Sequence, residues 1–337
     1  MPKRPLIALS AATGLIEAIE EAGGDPDQVL RSVGLERSVF ASPDGFIACA
    51  DFTRILEEAA RTTGDDCFGL HFGAAYNPKD LGPLTYVALN SPTIADGFTN
   101  IGRYLRVHNE AAHVSLGTEG RLAYVRHRLV HLPIETHRQH NECSVTVGLN
   151  MLRLMVGSRW APLEVQFAHE APRQTSEHGR IFGAPVSFGC AVNAFVVERA
   201  FLERQIPAAD ERLYPVLQRY LDGVLKEMPR EDALLASVRS IVGESIRDGA
   251  PTLTRVARKV AMAPRTLQRR LREHGVDFKA LVDDTRRRFA LSYLRDPKNT
   301  FTDIAYLLGY SEVSAFNRAF KRWTGSTPSD YRRKISE

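Results

Sequence analysis

A chain of 337 residues, 44% hydrophobic and 25% charged, is long enough for two or three domains, each with its own core. No apolar run approaches the roughly 20 residues of a membrane span, and Cys49, Cys67, Cys143 and Cys190 stand far apart with no Cys-x-x-Cys pair, so neither a disulfide framework nor structural zinc is indicated. The net charge of +4 hides a split: Pro251 to Glu337 holds 19 Lys and Arg against 9 Asp and Glu, a net of +10, while the rest holds 25 against 31, a net of −6. A basic C-terminal block on an acidic body points to a polyanionic partner.

In chain order, residues 1–22 read as one amphipathic helix with Leu15, Ile16 and Ile19 on a face. Glu17, Glu20 and Glu21 interrupt it too early for a secretion signal, which implies a cytoplasmic protein. Gly23-Gly24-Asp25-Pro26 breaks it, and a short helix runs from Pro26 to Val33. Ile47 to Thr63 is helical through Phe52, Ile55, Leu56 and Ala59. The glycines and prolines from Phe68 to Leu84 mark a turn-rich passage. Thr93 to Val107 is a helix. Ala112 to Leu116 and Leu122 to Leu129 form a hairpin around Gly117-Thr118-Glu119-Gly120. Thr136 to Val156 is a long helix, and strands follow at 163–168, 186–188 and 194–197. Leu213 to Lys226 is a connector or dimer-interface helix. A boundary falls near Met228-Pro229-Arg230.

Beyond it the pattern is helical throughout. Helices are expected at Ala233–Asp248, Thr252–Ala261 and Arg265–His274, the last closed by Gly275. Phe278 to Arg295 forms a joining helix, buried through Phe278, Leu281, Val282, Phe289, Tyr293 and Leu294 and stopped by Asp296-Pro297. Thr300 and Asp303 then look like a capping box. Ile304, Ala305 and Leu308 give a short helix one apolar face, and Gly309 turns the chain. The next helix carries an apolar stripe at Phe316, Phe320 and Trp323 and ends at Gly325. Thr327-Pro328 opens a last short helix.

Short helix, glycine turn, second helix with a basic face: this pattern fits a helix-turn-helix, and it fits equally an ordinary hairpin with a solvated charged face. The residues themselves break the tie. Ile304-Ala305, Leu308-Gly309-Tyr310, Ser314, Phe316, Arg318, Phe320-Lys321, Gly325, Thr327-Pro328 and Tyr331-Arg332 closely resemble the signature of AraC/XylS-type transcriptional regulators. More loosely, Asp80-Leu81-Gly82-Pro83-Leu84, Ser91-Pro92-Thr93, Arg103-Tyr104 and Ile181 to Phe188 resemble the arabinose-binding-type N-terminal domain that some members carry in place of the cupin.

The expected architecture is an α+β N-terminal domain (1–228, core about 15–205) followed by an all-α domain (229–337). In the latter two helix-turn-helix motifs, about 252–275 and 300–325, are joined by the long helix 278–295. Arg265, Gln268, Arg269 and Arg272 share one face of the first recognition helix, with Thr266 beside them and Leu267 and Leu271 opposite. Arginine can pair bidentately with guanine, and glutamine with adenine. The matching outward set on the second is Val313, Ser314, Asn317, Arg318 and Lys321. Of Arg286-Arg287-Arg288, one or two can face DNA, and the rest are expected to pair with Asp283 or Asp284. The resemblance implies double-stranded DNA and a small-molecule effector as partners, a homodimer, and activation through RNA polymerase.

His127, His131, His137 and His140 invite a metal test. No acidic or cysteine partner sits at a diagnostic spacing, so they read as polar surface or pocket lining, and no metal or cofactor is expected. The competing class is an enzyme fused to a DNA-binding module, such as an alkyl acceptor with a reactive cysteine; the scattered cysteines and the lack of a catalytic motif argue against it. A ligand-independent architectural binder is a third possibility.

Overall fold

Alternating apolar residues on two strands build the centre of a mixed sheet, and the first two-thirds of the chain folds around it. The computed structural model describes residues 5–130, 137–228, 233–247, 251–273, 276–295 and 299–336. The chain divides after Met228 into two compact units, the first mixing helices and strands, the second helical.

In the first unit, β1 (Leu6–Ala8) and β2 (Phe46–Ala48) form an antiparallel ribbon, with Ile7 opposite Ile47. Between them lie a 3-10 turn (Leu9–Ala12), α1 (Leu15–Glu21) and α2 (Pro26–Ser32), the last capped by Asp25. Then come α3 (Cys49–Thr63), α4 (Phe68–Ala75), α5 (Pro83–Leu89) and α6 (Ile94–Tyr104). Strands β3 (Ala112–Glu119), β4 (Leu122–Leu129), β5 (Glu164–Gln166), β6 (Val186–Ser187) and β7 (Asn193–Glu198) make a sheet in the order β3-β4-β7-β5-β6. All its pairings are antiparallel except β5 with β6. Helices α7 (Arg138–Val156), α8 (Ser176–Phe182), α9 (Arg199–Leu202) and α10 (Leu213–Glu227) complete the unit.

Period-two alternation turns Ala123 and Val125 of β4 and Phe195 and Val197 of β7 into one core, packed with Leu149, Leu152 and Met155 of α7 and Phe98 of α6. A second core gathers Leu15, Ile19, Leu30, Phe52, Leu56, Phe68 and Phe72. Each fully buried side chain of this size contributes about 1.5–3 kcal/mol relative to exposure. A third, smaller cluster seats Leu221 of α10 against Leu84, Val87 and Tyr104. There Asp222 accepts hydrogen bonds from Arg103 Nη2 (2.8 Å) and Tyr104 Oη (2.9 Å), and Asn100 Nδ2 donates to Tyr214 Oη (2.8 Å).

Three expectations need correction. The single helix over 1–22 is instead a strand, a 3-10 turn and the short α1, because residues 6–8 pair with β2, a partner about 40 residues away that no local pattern reveals. The turn-rich passage holds two helices, α4 and α5. Its Gly69 and Gly73 are not breakers; they let α4 lie directly on the backbone of α7, and a Cβ on Gly73 would stand 2.7 Å from the carbonyl oxygen of Cys143. The hairpin is tighter than expected: β3 runs on to Glu119, and the turn is at Gly120, whose φ is +59°.

The second unit contains α11 (Ala233–Arg247), α12 (Leu253–Lys259), α13 (Pro264–Glu273), α14 (Phe278–Arg295), α15 (Phe301–Leu307), α16 (Val313–Thr324) and α17 (Pro328–Ser336). One core joins them through Val242, Val256, Leu267, Leu271, Leu294, Ile304, Phe316 and Phe320. The expected stops at Gly275 and Asp296-Pro297 lie outside the described residues.

Candidate functional site

Local signals place the exposed basic faces. Thr252 Oγ1 accepts from Arg255 N (3.2 Å) and starts α12. After α12 the chain turns at Ala261, a non-glycine residue at φ +53°, and Pro264 occupies the first turn of α13. Leu267 and Leu271 are buried, and the opposite side is thereby fixed outward. Arg265, Arg269 and Arg272 are exposed, with Thr266 and Gln268 half-buried. Arg269 stands 3.8 Å from Glu273, a loose ion pair.

The second pair is built the same way. Thr300 and Asp303 cap α15 reciprocally, and Gly309 (φ +74°) makes the turn. Phe316, Ala319 and Phe320 bury one side of α16. Its other side exposes Ser314, Asn317, Arg318 and Lys321, with Val313 half-buried; Ser314 Oγ donates to Glu312 (3.0 Å). Gly325 (φ +78°) ends the helix.

Arg286, from the run of which one or two members were expected to face DNA, is committed inside the fold, and so is Arg332. Arg286 Nε donates to the carbonyl of Leu308 (3.0 Å), and its guanidinium lies 4.7 Å from the ring centroid of Tyr310. Arg332 donates to the carbonyls of Leu294 (3.0 Å) and Asn299 (2.9 Å). Asp283 pairs with Arg322 of α16 at 2.9 Å, a partner the run 286–288 did not suggest, while Arg287 takes Asp284 at 3.3 Å.

The first unit holds a cavity of about 130 Å³ between the sheet and helices α3, α6 and α7. Phe52, Phe98, Val125 and Phe195 form much of its wall, and three histidines, His108, His127 and His140, line it together with Tyr76 and Cys143. Thr53 Oγ1 donates to the carbonyl of Cys49 (2.9 Å) and stands 2.8 Å from His140 Nδ1. With the single hydroxyl proton assigned to the Cys49 carbonyl, the ring donates to the Thr53 oxygen, an assignment that makes His140 the Nδ1–H tautomer and leaves Nε2 its lone pair. Burial lowers His108 and His127 to about 4 and His140 to about 3, neighbouring histidines adding to the effect for the latter two. All three are uncharged at neutral pH.

Two of the four histidines singled out by sequence thus line one cavity, whereas His131 lies outside the described residues. His108 was missed, since nothing local distinguishes it. Among the described residues no group of three or more His, Cys, Asp and Glu is placed to hold a metal. Cys49, Cys67 and Cys143 are buried and free. Burial pushes the thiols of Cys49 and Cys143 up to about 12 and that of Cys67 to about 11, which leaves little thiolate for nucleophilic chemistry. No described helix is long and apolar enough to cross a membrane.

Comparison with known proteins matches a family to each unit. Residues 23–206 match the model of the arabinose-binding domain of AraC transcription regulators, and residues 256–334 match a helix-turn-helix domain. The chain is 30% identical to the HTH-type transcriptional regulator VirS of Mycobacterium tuberculosis over 329 residues, covering 97% of this chain and 96% of that one. It is 26% identical to the ornithine utilization regulator of Pseudomonas aeruginosa over 328 residues, again 97% and 96%. Among solved structures, the transcriptional regulator CdpR from Pseudomonas aeruginosa aligns over 79% of this chain and 86% of that one, with 23% identity and a TM-score of 0.41.

Proposed function

This chain belongs to the AraC family of transcription regulators, and from that premise we propose that it reads DNA with two helix-turn-helix heads under the control of an effector bound in its first unit. The reading assigns residues 1–228 to effector sensing and dimerisation, and 229–337 to DNA binding. Pairs α12/α13 and α15/α16 are the heads. Helix α14, 18 residues and so about 27 Å long, spaces them on the scale of one ~34 Å DNA turn.

The observation that carries the reading is the pair of exposed faces: Arg265, Thr266, Gln268, Arg269 and Arg272 on α13, and Val313, Ser314, Asn317, Arg318 and Lys321 on α16. Each is backed by a buried apolar side that fixes its orientation. The first face is the richer in arginine; the second, with Val313 able to meet only a thymine methyl, leans more on backbone and shape. An activator also contacts RNA polymerase. A homodimer is supported by Leu213, Val216 and Tyr220, which lie exposed at three- and four-residue spacing on α10. The effector acts by binding one conformational state more tightly than another.

The test is footprinting of Arg269→Ala and Arg318→Ala on a randomised operator. Each substitution should cost about 1–3 kcal/mol and relax preference at base pairs in separate halves of one site. Loss at the same base pairs in both, or at none in either, overturns the two-headed reading. Uniform weakening across sequences identifies a phosphate contact instead.

A further inference from the structure

We propose that the histidine-lined cavity of the first unit binds a neutral molecule of about one ring in size, apolar over most of its surface, carrying one hydroxyl or N–H that donates to His140 Nε2. The inference rests on the reading of this unit as effector-sensing and gives that effector a place and a chemical class.

Size comes first. A cavity of about 150 Å³ lined by aliphatic and aromatic side chains accommodates benzene, and this one measures about 130 Å³. Its walls are of the same kind, with Phe52, Phe98, Val125 and Phe195 among them. Charge comes next. Among the described residues no Asp, Glu, Lys or Arg lines the cavity, so an ionised ligand would give up its hydration and find no counter-charge there.

Polarity decides the rest. Among the described residues Thr53 is the one hydrogen-bond partner of His140, and it occupies Nδ1. His140 lines the cavity, and its Nε2, held neutral by burial and with no partner among the described residues, is the acceptor offered to the ligand. A hydroxyl or N–H meets that need; a carbonyl or ether does not.

A sugar fits poorly. Each hydroxyl brings one proton and two lone pairs, and the wall has already used much of its polarity. The Tyr76 hydroxyl donates to the carbonyl of Ser10 (2.9 Å). Asn109 Oδ1 accepts from the amides of Ala111 (2.9 Å) and Ala112 (3.2 Å). His127 Nδ1, buried with no partner among the described residues, together with His108 and Ser144, is too little to satisfy a polyol. Unsatisfied hydroxyls in an apolar cavity oppose binding.

The experiment is calorimetric titration of the full chain with four probes: phenol, toluene, benzoate and L-arabinose. Phenol should bind about tenfold more tightly than toluene, its near-equal in size, with benzoate and arabinose weaker still. His140→Leu should abolish the preference of phenol over toluene while toluene binding persists. Should that variant not fold by circular dichroism, the ranking in the native chain decides alone. Equal binding of phenol and toluene, preference for benzoate or arabinose, or no binding of phenol at millimolar concentration overturns the proposal. Operator affinity measured on the same samples separates the two levels. Phenol binding without any change in operator affinity keeps the ligand site and removes its sensory role. An operator response to arabinose without phenol binding keeps the sensory role and removes this ligand class.

Discussion

Gly69 of α4 and Gln139 of α7 are in backbone contact: the amide of Gly69 donates to Gln139 Oε1 at 2.7 Å, and a Cβ on Gly69 would stand 2.7 Å from Gln139 Cα. Real Cβ atoms do not come so close to a backbone. Gly69→Ala should therefore force α4 away from α7, with a loss of about 1–3 kcal/mol or more. Gly179, in α8, makes a control, because a Cβ there meets nothing within 4 Å; Gly179→Ala should leave stability unchanged or raise it by about 0.4–1 kcal/mol. Urea unfolding of both variants checks the contrast.

Acid should act on the cavity histidines. Their folded pKa values, about 4 for His108 and His127 and about 3 for His140, lie below the ~6.5 of an unfolded histidine. Between those limits the unfolded chain takes up protons that the folded chain refuses, so stability falls as pH drops from about 6.5 to about 4. His71 works in the opposite sense: burial lowers it, but Asp65 and Glu177 together lift it above its ordinary value, and its contribution is lost as pH rises. The urea midpoint should decline through that window, and His140→Gln should flatten part of the slope. An unchanged slope in the variant would show that His140 is not among the groups responsible.

In the second unit, Phe316 and Phe320 are fully buried, while Trp323 is half-buried and its Nε1 has no hydrogen-bond partner among the described residues. The stripe read from sequence at equal weight is therefore unequal. Phe320→Ala should cost about 3–5 kcal/mol, and Trp323→Ala clearly less. Thermal unfolding of the two variants ranks them.

Arg286 and Arg318 should separate structural from DNA-facing charge. Arg286 is tied to the carbonyl of Leu308 and the ring of Tyr310, whereas Arg318 is exposed on α16. Arg286→Ala should lower stability and leave the salt dependence of operator binding alone. If Arg318 meets a phosphate, Arg318→Ala should keep stability and reduce the slope of log K against log salt by about 0.9. Denaturation together with binding at several salt concentrations distinguishes them.

Much of the second unit is legible in the sequence because its signals are short-range. The Thr300–Asp303 box, the turn at Gly309, the cap at Gly325 and the spacing of Phe316 and Phe320 all act within a few residues. The first unit is less legible because its decisive contacts are distant. Residues 6–8 take their conformation from residues 46–48, and Gly69 has its reason in Gln139. His108, His127 and His140 become neighbours only once a turn, a strand and a helix have packed. Thr53 fixes the tautomer of a ring 87 positions along. Arginine types are legible but their employment is not: Arg286 and Arg332 satisfy carbonyls, and no composition count tells them from Arg318.

Helix α6 serves two neighbours at once. Phe98 and Ile101 look into the cavity, while Asn100, Arg103 and Tyr104 grip α10 through Tyr214 and Asp222. The final helix before the chain passes Met228 is thus mounted on a wall of the cavity. Any occupant that displaces α6 must carry α10 with it or break those three hydrogen bonds, which makes α6 a lever with its fulcrum inside the first unit. Asp222→Ala would remove two of those three bonds, leaving Asn100–Tyr214 and the cavity wall in place.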